Sequence, residues 1–277
     1  MAKKALCIGI NNYPGTDMDL QGCVNDATDW AGVLAERGFK VASLLDEQAT
    51  KAAMLKAMGE LIAKASKGDT LVITFSGHGT YQPDTDGDEV DGLDEALCPY
   101  DLQTKGEALT DDEIRNLFLT RKAGVRIVLI SDSCHSGTVT RAAKAEKDAD
   151  SRPRFMPMGN WLPDKLLPRN RAGKVAATMT GPAGTTPFFG AYSNKLGDLL
   201  LSGCKEGPNN FSYDARIKGR FNGAFTYYAL KALKSMKPGA NYADWHKAIA
   251  KYLPSASYPQ SPQIVGSATA RKGKIFE

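Results

Sequence analysis

The sequence offers no framework for a disulfide-stapled or zinc-bound fold. Its five cysteines (Cys7, Cys23, Cys98, Cys134 and Cys204) are odd in number and scattered over 277 residues. No Cys-x-x-Cys and no paired Cys/His spacing occurs among them. Histidine is scarcer still, at three: His78, His135 and His246. No apolar run approaches the ~20 residues of a membrane helix. The opening Met1-Ala2-Lys3-Lys4 is followed by too short an apolar stretch for a signal-peptide core, and no small-residue cleavage site follows. A cytoplasmic protein with no membrane partner is expected. Internal repeats are absent. With 42% hydrophobic and 24% charged residues, the composition is that of an ordinary globular chain, against disorder or a fibre.

Net charge is also small, at +4, but its distribution is uneven. Asp84 to Glu113 holds 12 acidic residues and one basic residue, Lys105, whereas Arg141 to Lys174 holds nine basic and four acidic residues. The basicity is therefore local, and no nucleic-acid partner is expected. The acidic run reads either as a solvated loop or as oxygen donors for Ca²⁺. Asp84, Asp86 and Asp88 have the spacing of an EF-hand loop, but Gly87 falls in the wrong place for its turn, so no EF-hand register fits.

Three short apolar runs rich in β-branched residues read as buried strands: Ala5 to Ile10, Thr70 to Phe75 and Val125 to Ile130. A weaker strand is expected over Phe39 to Leu45. Helical patterns cover Gly22 to Arg37, Lys51 to Ser66 and Asp111 to Arg121, with Thr50 and Thr110 as N-caps. Such alternation predicts βαβ units and a mostly parallel sheet. Residues 141–190 show no clear period. Beyond them a strand is expected over Asp198 to Leu201, helices over Gly219 to Met236 and Tyr242 to Leu253, and a last strand over Gln263 to Val265.

Sites in open parallel sheets lie at the C-terminal ends of strands. The strand ending at Phe75 runs into Ser76-Gly77-His78-Gly79, and the one ending at Ile130 runs into Ser131-Asp132-Ser133-Cys134-His135-Ser136-Gly137. If these strands are neighbours, His78 and Cys134 meet above one sheet edge. A thiol needs a base or an imidazolium partner to present a thiolate, and His78 supplies one. Backbone N–H groups of Gly79 and Cys134 would then form an oxyanion hole for acyl transfer. The competing reading is that most single cysteines are inert core. Cys7 and Cys98 are read so. Cys134 differs because it lies beyond an apolar strand in a polar, Gly-terminated turn. His135 is adjacent to Cys134, and adjacent side chains diverge; His246, mid-helix, is read as surface or packing. A phosphatase loop would need Cys-x5-Arg, but Arg141 falls one residue too far.

The segments around His78 and Cys134 resemble the catalytic boxes of metacaspases, the caspase-like cysteine peptidases of bacteria, protists, fungi and plants. The two boxes lie 56 residues apart. The resemblance extends through Gly9-Ile10-Asn11-Asn12-Tyr13, Leu20 to Ala27, Asp86 to Glu89, Asp94 to Leu97 and Pro99-Tyr100-Asp101. It continues through Ser202 to Glu206 and Asn222 to Thr226. The Gln-Ala-Cys box of true caspases is absent. The resemblance implies an α/β, caspase-like fold: a central, mostly parallel six-stranded sheet with helices on both faces. It implies one peptidase domain over 1–277, with a large-subunit-like part (1–140), a basic linker (141–190) and a small-subunit-like part (191–277).

Asp132, two residues before Cys134, shares its face if the strand persists, and a carboxylate there suits a basic P1 side chain. The resemblance adds Cys23, Asp26 and Ser76 to Asp132 as the S1 pocket and implies cleavage of protein or peptide substrates after Arg or Lys. It implies a monomer with no required cofactor. It offers Ca²⁺ as an activator through Asp94, Asp111 and Asp112, although a fourth expected carboxylate is Arg141 here. It further implies self-cleavage in the linker, with Arg141, Lys144 and Lys147 as candidates. Trp161 either pins the linker over the cleft or anchors it to the core. The rival reading is a catalytically silent caspase-like scaffold, against which the joint presence of Cys134, His78 and Asp132 argues.

Overall fold

The computed structural model describes residues 1–84, 93–134, 150–167, 198–205 and 210–277. The three apolar runs form the centre of the main sheet as β1 (Lys3–Gly9), β3 (Thr70–Ser76) and β7 (Arg126–Asp132). With β2 (Lys40–Leu45), β9 (Leu199–Ser202) and β12 (Gln263–Gly266), the spatial order is β12-β9-β7-β3-β1-β2. Every pairing is parallel except β12 on β9. This is the mostly parallel six-stranded sheet expected.

The period of two along each strand sorts the core into two layers. Leu6, Ile8, Leu71, Ile73, Phe75, Ile127 and Leu129 point to one face. There they meet Met54, Met58 and Ile62 of α2 (Lys51–Ala63) and Ile114 and Phe118 of α4 (Asp111–Leu119). Ala5, Cys7, Val72, Val128 and Ile130 point to the other face. They pack on Trp30 and Leu34 of α1 (Cys23–Glu36), Phe225 of α5 (Ala224–Lys234) and Trp245 of α6 (Tyr242–Ile249). Two single-turn helices, α3 (Leu102–Lys105) and α7 (Ala268–Arg271), lie in connections. Both expected N-caps form. Thr50 Oγ1 accepts from Ala53 N–H at 3.2 Å, and Thr110 Oγ1 accepts from Glu113 N–H at 3.2 Å in a capping box.

One expectation is corrected. The helix expected from Gly219 starts at Ala224, because Arg220–Gly223 forms strand β11, hairpinned to β10 (Tyr213–Ile217). The connecting pair Lys218 and Gly219 has φ of 52° and 84°. Two consecutive positive φ values are what a tight two-residue hairpin demands. The linker, which shows no clear period in the sequence, holds short elements where described. Ser151–Pro153 forms β8 and pairs with β10, giving a three-stranded sheet β11-β10-β8. Further on, Trp161 is buried in the core cluster beneath the main sheet, with its Nε1–H donating to Thr80 Oγ1 at 3.2 Å. It anchors the segment to the core. A third sheet, β4-β5-β6, comprises Gly79–Pro83, Leu93–Leu97 and Leu109–Thr110. Among the described residues no helix is long and apolar enough to cross a membrane.

Candidate active site

The register of β3 and β7 sets the site. The strands are parallel neighbours, and Ser76 stands opposite Asp132. His78 and Cys134 each follow two residues later, so both leave the sheet at the same level on adjacent strands. The His78 backbone N–H donates to Tyr13 Oη at 2.8 Å, and the Tyr13 ring lies against the imidazole at 4.9 Å. His78 Nε2 is 2.6 Å from the Met18 carbonyl oxygen. A carbonyl only accepts, so Nε2 carries the proton. Nδ1 is then a bare acceptor, buried and without a hydrogen-bond partner. Burial lowers the His78 pKa to about 4, against the opposing pull of the Met18 carbonyl. The ring is thus neutral near pH 7 and holds a free lone pair. A cavity of about 220 Å³ opens beside it, lined by Asp17, Met18, Leu20, Arg152 and Pro153.

Cys134 is fully buried. Its Sγ accepts from the Ser212 N–H and lies 3.5 Å from Cys204 Sγ. Burial pushes the thiol pKa well above its usual value, and Cys204 adds to the rise. Among the described residues no hydrogen bond joins His78 to Cys134. His78 and Cys134 thus follow neighbouring strands without being hydrogen-bonded to each other.

The expected carboxylates do converge, and they hold an arginine of the same chain. Arg154 is fully buried. Its Nη2 is 2.7 Å from Asp26 Oδ2 and 2.9 Å from Asp214 Oδ1, and its Nη1 is 3.3 Å from Asp132 Oδ2. Burial alone would lower the pKa of this guanidinium, but the carboxylates of Asp132, Asp26 and Asp214 around it help hold it well above the ordinary value. Burial raises the Asp26 carboxyl to about 7 despite the pull of Arg154, and Asp132 adds to the rise. The aspartates are fixed by other donors. Asp26 accepts from Gly223 N–H at 3.0 Å and Asn222 Nδ2–H at 2.9 Å. Asp132 accepts from Thr226 N–H at 2.8 Å and from the Ser212 hydroxyl. Asp214 accepts from the N–H groups of Gln21 and Gly22 at 2.8 and 2.9 Å. Residue 223 has to be glycine for this pocket to exist, because a Cβ there would collide with Asp132 Oδ2 and the Arg154 guanidinium.

The main chain around Arg154 is held as firmly as its side chain. The Arg154 carbonyl oxygen accepts from Gly79 N–H at 3.0 Å and from Cys134 N–H at 3.1 Å. These are the two donors expected as the oxyanion hole. Arg154 N–H donates to the Ser212 carbonyl at 2.8 Å, and the preceding β8 runs antiparallel to β10. On the other side, Met156 N–H donates to the Gly79 carbonyl at 2.8 Å. The Phe155 ring stacks on Tyr81 at 5.6 Å and meets Phe211 at 6.5 Å.

The remaining expectations divide. Cys23 is buried at the start of α1, and burial raises its thiol pKa well above the ordinary value against the opposing pull of Arg154. Ser76 is buried at the end of β3, with its carbonyl taking the Ile10 N–H at 3.0 Å. Cys7 and Cys98 are inert core as read, both fully buried. His246 packs its Nε2 at 3.0 Å from the Pro262 carbonyl. Among the described residues, no three His, Cys, Asp or Glu side chains gather as a metal site. Asp112 is paired with Arg115 at 2.5 Å. Arg141, Lys144 and Lys147, together with His135 and with Asp86, Asp88, Glu89 and Asp91 of the acidic run, lie outside the described residues. Sequence reasoning missed Asp214, Ser212, Cys204 and Arg154. Arg154 had been seen only as one of nine basic residues in a linker. Asp214 belongs to no motif, and only its pairing with Gln21, Gly22 and Arg154 reveals it.

Comparison with known proteins places the chain in a family. Residues 3–143 match the family model described as metacaspase, peptidase C14 domain. Metacaspase-1B of Neosartorya fischeri is 43% identical over 95% of this chain and 68% of its own length. Metacaspase-1B of Aspergillus oryzae is 31% identical over 95% of this chain and 67% of its own. The chain thus spans about two thirds of the length of these relatives. Among solved structures, a protein of Geobacter sulfurreducens superposes with a TM-score of 0.72 at 32% identity, covering 100% of this chain and 98% of that one. Caspase-1 of Spodoptera frugiperda shares the fold, with a TM-score of 0.52 at 14% identity over 95% of this chain and 86% of that one.

Proposed function

The chain belongs to the metacaspase family of caspase-like cysteine peptidases, and on that footing we propose that it cleaves protein or peptide substrates after Arg or Lys through a Cys134–His78 dyad. The observation that carries this reading is the seat of Arg154. A guanidinium lies among Asp26, Asp132 and Asp214 while its own carbonyl takes the N–H groups of Gly79 and Cys134. A basic P1 residue and its scissile carbonyl would be held in the same way.

In this mechanism His78 Nδ1 accepts the Cys134 proton as the thiolate attacks the carbonyl carbon. The Gly79 and Cys134 N–H groups stabilise the charge that collects on the carbonyl oxygen. His78 then returns the proton to the departing amine, and water hydrolyses the thioester. Asp26, Asp132 and Asp214 bind and orient the P1 cation. Burial keeps the Cys134 thiol protonated in the closed arrangement, so deprotonation is coupled to the approach of the imidazole. Self-cleavage within the linker belongs to the same reading, since that stretch is rich in the residues the pocket takes.

Hydrolysis of paired fluorogenic peptides with P1 Arg, Lys or Asp tests it, with wild type set against Cys134→Ala. Turnover of the basic peptides by wild type alone is expected. Cleavage after Asp, or turnover that survives in Cys134→Ala, would overturn the assignment. A chain inert toward every peptide, before and after incubation, would favour the scaffold.

A further inference from the structure

Resting on the reading above, we infer that residues 151–156 occupy the chain's own cleft as a peptide substrate, and that the Arg154–Phe155 bond is the bond it cuts first. Three separate restraints define this binding mode. The side chain of residue 154 fills the acidic pocket through both Nη atoms. Its carbonyl is held by the two N–H groups next to His78 and at Cys134. The backbone pairs with the protein on both sides of the bond. Before it, β8 adds to β10 as an antiparallel strand; after it, Met156 bonds to Gly79. Strand addition of this kind is the general way an extended peptide is recognised. A structural arginine would need the carboxylates, but not a carbonyl placed on the nucleophile's own N–H.

The neighbouring arginine provides a contrast within the same segment. Arg152 sends its Nη1–H to the Asp19 carbonyl at 3.2 Å, outside the acidic pocket, and the bond that follows it leads to Pro153. Arg154 alone among the described basic residues of the linker combines a filled pocket with a carbonyl at both N–H donors. Among the described residues, the Phe155 N–H makes no backbone hydrogen bond that the departing amine would have to break.

The chemistry balances within the chain plus one water. Cys134 Sγ bonds to the Arg154 carbonyl carbon while its proton passes to His78 Nδ1. The C–N bond to Phe155 breaks, and the proton leaves with the new Phe155 amine. Water then splits the thioester, giving the Arg154 carboxylate and restoring the thiol. Until that cut, the tethered segment competes with any free peptide at an effective concentration on the order of millimolar. With ordinary KM values at or below this range, the intact chain turns over free substrate about 10-fold or more slowly than the cut chain. Cutting also removes the tether through Phe155, which weakens the hold on the Arg154 end.

The test follows chain cleavage and peptide hydrolysis together in the full-length protein. Intact-mass analysis and N-terminal sequencing are run over time on wild type, Cys134→Ala, Arg154→Lys and Arg154→Gln, alongside turnover of a P1-Arg fluorogenic peptide. Wild type is expected to gain a new terminus at Phe155, with turnover rising about 10-fold or more as that terminus appears. Cys134→Ala stays whole, and Arg154→Lys is still cut. Arg154→Gln keeps the bond and shows no lag. Full turnover by wild type with the 154–155 bond intact, or cleavage confined to Arg141, Lys144 or Lys147, would overturn the inference and leave the Arg/Lys peptidase reading standing. Absence of turnover from every form would sink that reading, and the inference with it.

Arg154→Gln leaves three buried carboxylates without their cation and risks misfolding. A synthetic peptide of residues 150–158, added to the cut enzyme, covers that case. Cleavage solely between Arg154 and Phe155, lost in the peptide carrying Arg154→Gln, supports the inference. Cleavage after Arg152, or none, contradicts it.

Discussion

The carbonyl oxygen of Arg154 accepts a hydrogen bond from the backbone N–H of Cys134 at 3.1 Å. A peptide carbonyl therefore already sits on the amide of the proposed nucleophile, where the oxygen of a tetrahedral intermediate gathers charge.

Asp26→Asn and Asp214→Asn each remove one carboxylate from a fully desolvated guanidinium. Breaking such a buried pair costs about 3–5 kcal/mol. The kcat/KM for a P1-Arg peptide is expected to fall by about 10²-fold or more in each variant. Steady-state kinetics against the parent chain measures this, and a loss below tenfold would remove that residue from the pocket.

Arginine should outrank lysine at P1. The two Nη atoms of Arg154 divide their contacts, one reaching Asp132 and the other Asp26 and Asp214. A lysine ammonium is a single point and cannot reproduce this fork. A preference of about tenfold in kcat/KM is expected from the loss of one charge-assisted hydrogen bond. Matched P1-Arg and P1-Lys peptides decide it, and equal rates would mean that the fork is not used.

Stability should depend on pH through His78. Its pKa in the fold is about 4 against an ordinary 6.5, so the folded state binds fewer protons between those values. Stability from this residue is complete above about 6.5 and declines as pH falls toward 4, by about 3 kcal/mol. Asp26 acts with the opposite sign, its proton held up to about 7 in the fold. The comparison is therefore Cys134→Ala with and without His78→Gln, by thermal melting from pH 4 to 7. The added substitution is expected to flatten the acid-side fall. Parallel curves would contradict the account of a buried neutral imidazole.

Much of this was legible in the sequence because it is local. β1, β3 and β7 announce themselves as apolar β-branched runs, and Thr50 and Thr110 as caps. Ser76 and Asp132 end their strands at positions that the register then aligns. Asp26 and Asp132, two of the expected pocket residues, both meet Arg154. What stayed hidden depends on contacts between distant parts of the chain. Arg154 meets Asp26 across 128 positions, and Gln21 meets Asp214 across 193. No periodicity connects residues so far apart. The β10–β11 hairpin was hidden for a different reason: Phe221 to Leu233 carries an apolar pattern that a helix also satisfies, and only the positive φ at Lys218 and Gly219 separates turn from helix.

Calcium should not be needed. Among the described residues Asp94, Asp111 and Asp112 form no three-ligand group, and Asp112 is bound to Arg115. Hard cations need several oxygen ligands converging at about 2.3–2.6 Å. Hydrolysis of a P1-Arg peptide is expected to be the same in chelator and in millimolar calcium. Loss of activity in chelator, restored by calcium, would contradict this.

The most direct measurement of the central claim is covalent labelling of the cut, active chain with a peptidyl electrophile carrying P1 Arg, followed by peptide mapping. The account predicts one adduct, on Cys134, that is lost in Asp26→Asn and is not formed by the matching P1-Asp reagent. An adduct on Cys23 or Cys204 instead, or equal labelling of Cys134 by both reagents, would contradict it.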